Sequence, residues 1–102
     1  MSYNQSEYKY LNITAAAPTT TVVASGRGKL HTIVINTSLA TGTVTIYDNT
    51  AGSGTKIGTI TRPATLLSDA CQTLLYDVVF SVGLTIVTAT AAHDLTVCYS
   101  QP

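Results

Sequence analysis

The chain has 102 residues, of which 45% are apolar and only 10% charged, with five Lys or Arg balanced by five Asp or Glu. That length holds one domain with one core, and the balanced, sparse charge excludes a strong electrostatic footprint for nucleic acid or an anionic membrane. The apolar content is periodic, which argues against disorder, and no apolar run approaches the roughly 18 residues that a membrane helix needs.

Thr is the conspicuous excess, at nineteen residues, and with Val and Ile it favours pleated sheet over helix. The first six residues, MSYNQS, have no periodicity and read as a flexible arm ahead of a domain spanning residues 7–100. The start is polar and aromatic where a secretory leader would be basic and then apolar, so synthesis in a cytoplasm is expected. Residues 7–13 alternate, with Tyr8, Tyr10 and Asn12 on one side and Lys9, Leu11 and Ile13 on the other, as in a strand. Tyr3, Tyr8 and Tyr10 form a candidate partner interface, because Tyr offers large area at low entropy cost. The plainer alternative is that Tyr8 and Tyr10 cap the edge of the fold.

After AAAP a second strand covers residues 19–25, and Gly26-Arg27-Gly28 makes a tight connection into a third over residues 29–36. That third strand is apolar on both faces, which predicts a central position. With TVTIYD and TKIGTI it is expected to form a three-stranded meander, to which the rest of the chain packs. In TVTIYD, Val44 and Ile46 face the core and Thr43, Thr45 and Tyr47 face away. NTAGSG is the strongest turn signal in the chain. In the following strand Ile57 and Ile60 are three apart, so Gly58 marks an expected bulge.

Helix and loop compete over residues 63–71. A strand follows from Gln72 to Phe80, with Leu74, Tyr76, Val78 and Phe80 on one face and Asp77 on the other between Leu75 and Val79. Residues 84–90 and 95–100 supply the last two strands, joined by a turn holding His93 and Asp94. About eight strands with short connections predict an all-β antiparallel β-sandwich, either a jelly roll or an immunoglobulin-like variant. Its edges carry few lysines to block pairing, so a small oligomer is expected.

No chemistry can be assembled from the motifs. Gly52-Ser53-Gly54-Thr55-Lys56 lacks the spacing of a phosphate loop and joins two strands, so it reads as a hairpin turn. Gly26-Arg27-Gly28 lacks the third glycine and following helix of a dinucleotide site. His93-Asp94 has no serine elbow to serve, and an Asp that caps its own turn is the simpler reading. Cys71, Cys98, His31 and His93 are too scattered for a zinc site; free thiols are expected. Asn12-Ile13-Thr14 matches a glycosylation acceptor, which is idle without secretion. Catalytic, cofactor and metal residues are therefore all expected to be none.

LHTIVIN, then GTVTIYDNTAGSGTKIGTI, then LLYDVVFSVGLTIVTAT and DLTVCY, are together similar to small structural proteins of tailed bacteriophages found as virion components. The likeness spans residues 8–100, and TIYDNTAGSGTKI, LLYDV and GLTIV recur together in that family. SDACQ departs from the Thr- and Gly-rich stretch usual there. The resemblance implies a β-sandwich that decorates or cements a capsid or sits elsewhere on the particle; the leading expectation is a non-enzymatic virion protein, made in the host bacterial cytoplasm, that binds the capsid as a trimer or other cyclic oligomer. Its partners would then be its own copies and the major capsid protein or another virion protein. The alternative is a carbohydrate- or receptor-binding sandwich module of a tail or fibre, which would need exposed tyrosine platforms in a chain that has no Trp.

Overall fold

The computed structural model describes residues 8–15, 19–36, 42–61, 72–89 and 93–102. They form eight strands: β1 (Lys9–Ala15), β2 (Thr19–Ser25), β3 (Gly28–Ile35), β4 (Thr43–Asp48), β5 (Thr55–Thr61), β6 (Gln72–Phe80), β7 (Gly83–Ala89) and β8 (His93–Ser100). The question of helix or loop over residues 63–71 lies outside the described residues, as does the arm.

Two antiparallel four-stranded sheets result, ordered β1-β8-β3-β6 and β2-β7-β4-β5. Of the seven connections between consecutive strands, only β4 to β5 stays within a sheet; every other one crosses to the opposite sheet. This strand order is that of a jelly roll, which decides between the two sandwiches the sequence left open. It also corrects the expected meander. β3 pairs with β6 and β8 in the first sheet, while β4 and β5 pair with each other in the second. Neighbours in sequence are hydrogen-bonded neighbours only at the β4–β5 hairpin, because each crossover buries one face of a strand against the opposite sheet.

The core lies between the sheets. Leu30, Ile33, Leu95, Val97 and Phe80 from the first meet Val44, Ile46, Leu84 and Ile86 from the second, all of them fully buried. The alternation of Val44 and Ile46 against Thr43, Thr45 and Tyr47 holds in β4. In β3 it breaks at His31, where the register against β8 shifts between Leu30 and Thr32, so that Leu30, Ile33 and Ile35 all point inward. In β5 the shift against β4 falls between the Gly58 and Lys56 pairings. The extra residue is Ile57, next to the glycine the sequence singled out, and it lets both Ile57 and Ile60 reach the core.

The hairpin loop after β4 folds back over the outer face of the second sheet. Asn49 Nδ2 donates to the Ser53 carbonyl at 2.7 Å and Thr85 Oγ1 donates to the Asn49 carbonyl at 2.7 Å. Gly54 takes φ 98° to close this turn, a conformation that glycine adopts without steric cost. Gly83 must also be glycine, for lack of room: a Cβ there would lie 2.7 Å from Thr50 Cγ2 and 2.9 Å from the Ala24 and Asn49 carbonyl oxygens. Thr85, although it points outward, is thereby fully buried.

Candidate functional site

The outer face of the first sheet has no such lid among the described residues, and the side chains singled out in the sequence gather there. β1 presents Tyr10, Asn12 and Thr14, with Tyr8 just ahead of the strand. Next to it β8 presents Asp94, Thr96 and Cys98, β3 presents Lys29, His31 and Val34, and β6 presents Leu75, Asp77 and Val79. Each edge of this face carries exposed large apolar side chains, and most of the polar groups lie between them. Tyr10 is 74% exposed on the β1 edge, Leu75 67% and Val79 59% on the β6 edge.

The middle is tied up in internal contacts. Asn12 Nδ2 donates to Asp94 Oδ1 and to the Leu95 carbonyl, both at 2.8 Å, and Asn36 Nδ2 donates to Asp94 Oδ1 at 3.1 Å and Thr96 Oγ1 at 2.9 Å. Asp94 thus lies within β8 and accepts from Asn12 in β1 and from Asn36 just past β3, not from its own turn as the sequence reading had it. His93 and Asp94 are both strand residues.

His31 Nδ1 donates to Asp77 Oδ1 at 2.7 Å, and Lys29 Nζ stands 4.0 Å from the same oxygen. The hydrogen bond from His31 holds the Asp77 carboxyl below the usual carboxylate range; partial burial opposes it, and the charges of His31 and Lys29 add to it. Bulges build this contact: β6 carries an extra residue opposite His31, and Asp77 sits there with φ 52°. The Tyr8 ring stacks on His31 with centroids 4.2 Å apart and planes 14° from parallel. Tyr8 therefore reaches from ahead of β1, over β8, to β3. Sequence reasoning placed Asp77 on the outer face but missed its pairing with His31. A lone acid in the apolar run LLYDVVF was the signal for it.

Of the three tyrosines proposed as an interface, Tyr8 and Tyr10 share this face and Tyr3 lies outside the described residues. Cys98 is a free thiol on the same face; Cys71 lies outside the described residues. Among the described residues no three of His, Cys, Asp and Glu lie close enough together to hold a metal ion, so Cys98 does not join the His31–Asp77 pair. At the Lys29–Val79 end of this face, a half-open cavity of about 360 Å³ is also lined by Arg27 and Gln101.

No family model and no curated protein matches the chain. Among solved structures it is similar to a chain from Bacillus endospore appendages, described as a novel family of disulfide-linked pili. The two are 20% identical, with a TM-score of 0.48, over 94% of this chain and 87% of that one.

Proposed function

We propose that this chain is a non-enzymatic structural subunit, which works by associating with its own copies and with other proteins of a larger particle. The observation that carries this reading is the outer face of the first sheet. Tyr10, Leu75 and Val79 stand more than half exposed on its two edges, in a chain whose net charge of zero gives copies no reason to repel each other. The second sheet covers part of its own outer face with its hairpin loop, whereas this face offers apolar area for a partner to cover. Among the described residues, the His31–Asp77 pair is satisfied internally and has no nucleophile in contact, which favours a structural over a catalytic reading.

The particle we propose is a bacteriophage virion, with the subunit decorating or stabilising the capsid, because of the sequence phrases quoted above. The test is binding. Purified protein added to capsids that lack it should co-sediment with them, and light scattering should find an oligomer at tens of micromolar. Failure to co-sediment with an intact oligomer would move the subunit to another assembly, and a clean 10.7 kDa monomer would remove the self-association on which the reading stands. The carbohydrate-binding alternative is less well served by this face. One side of the Tyr8 ring is already taken by His31, and the Asn12 amide is spent on Asp94 and Leu95.

A further inference from the structure

Four strands form the edges of the two sheets: β1 and β6 in the first, β2 and β5 in the second. An open edge is a template for another strand, and folds that must avoid such pairing interrupt their edges with bulges, prolines or inward charges. Three of the four are interrupted. β2 shifts register between Val22 and Ala24, β5 carries its extra residue at Ile57, and β6 is broken at Asp77.

β1 is different. It pairs with β8 without a shift from Lys9↔Tyr99 to Ala15↔His93, contains no proline, and has one charge, Lys9, at its end. Its side away from β8, unpaired among the described residues, is a regular ladder of seven residues, about 24 Å long at about 3.4 Å per residue. The outer face beside that ladder holds Tyr10, the most exposed large apolar side chain among the described residues.

We infer that β1 is the self-association edge, and that two copies join their first sheets through antiparallel β1–β1 pairing about a twofold axis centred on Asn12. The inference rests on the self-association reading above and names the contact. The occupant is a second copy because the pairing needs an unbroken partner edge of the same length. β1 is the only edge of this chain, among the described residues, that meets that condition. A twofold antiparallel pair is complementary to itself by construction.

The register follows from parity and length. Centring on Asn12 uses all seven residues of both strands, and opposed residues then point to the same side, so Leu11 faces the partner's Ile13 and both cores lie on one side of a continuous eight-stranded sheet. Lys9 meets the partner's Ala15 and stays clear of the partner's Lys9. On the outer face Tyr10 meets the partner's Thr14, and the two tyrosine-bearing edges merge into one covered strip.

Cross-linking in the full chain, with Cys71→Ser and Cys98→Ser as background, tests the pairing. Asn12→Cys should oxidise to a disulfide-linked dimer, because residue 12 lies opposite itself at about 4.5–5.5 Å between Cα atoms. Asn12 also makes internal hydrogen bonds, so a second probe uses only exposed positions. Tyr10→Cys mixed with Thr14→Cys should give the heterodimer in large excess over either homodimer, and Thr59→Cys on β5 should give none. If light scattering shows an oligomer but neither probe cross-links, or β5 cross-links equally, the β1 contact is overturned and self-association survives. If the protein is a monomer, both fall.

Discussion

Asp48 holds the turn between β6 and β7. Its carboxylate accepts the amides of Ser81 and Val82 at 2.8–3.0 Å and that of Gly83 at 3.3 Å. Burial raises its pKa, but these three hydrogen bonds outweigh that, and the group ends below the ordinary carboxylate range. With the folded pKa depressed, the unfolded chain binds more protons in acid. The stability Asp48 contributes is therefore fully present above its unfolded value of about 3.9 and is lost as pH falls through the lower folded value. Asp48→Asn should cost about 1–2 kcal/mol at neutral pH, near the low end for charged hydrogen bonds because the side chain is only partly shielded. Urea denaturation at a series of acid pH values should show the difference from the parent shrinking below pH 4. Asp77 makes a different prediction because its backbone is left-handed. Asp77→Asn tolerates that conformation and should leave the melting temperature nearly unchanged, whereas the β-branched Asp77→Val should lower it by several degrees.

At the scale of elements, alternation was legible in β4 and, to either side of its bulge, in β6, where each face holds the residues expected on it; the NTAGSG hairpin is where its glycines put it. What the sequence hid lies at the bulges. One extra residue at His31 changes which side chains enter the core, and the extra residue in β6 turns Asp77 toward it from 46 positions away. No periodicity links two such sites, because each bulge is stabilised by its neighbour strand and not by its own neighbours in the chain. The meander expectation failed for a related reason: apolar faces say that a strand is covered, not by which sheet. The hairpin loop supplies the test at this scale. Gly83→Ala would drive its methyl into the Ala24 and Asn49 backbone oxygens, which cannot rotate away as a side chain can. It should cost about 1–3 kcal/mol in a denaturant titration, as overpacking does.

For the whole molecule, the topology sets the folding rate. Every strand pair except β4–β5 joins strands separated by others in sequence, and β1–β8 spans almost the full chain. Loop-closure entropy must then be spent before most contacts form. Stopped-flow refolding is expected on the millisecond-to-second scale typical of sandwiches, with the β4–β5 hairpin as the local nucleus among the described strands.

The β1–β8 pairing also fixes how the domain carries load. Lys9 opposes Tyr99, so the start of the first strand and the end of the last leave the same corner of the molecule. A pull applied there opens the ladder like a zipper, one rung after another, and single-molecule extension between residues 9 and 100 should unfold the domain at low force. Tension entering sideways through the outer edge of β1 would instead stretch all its rungs together, in parallel. A subunit linked to its neighbours by that edge would resist a pull across its strands better than one along its own chain.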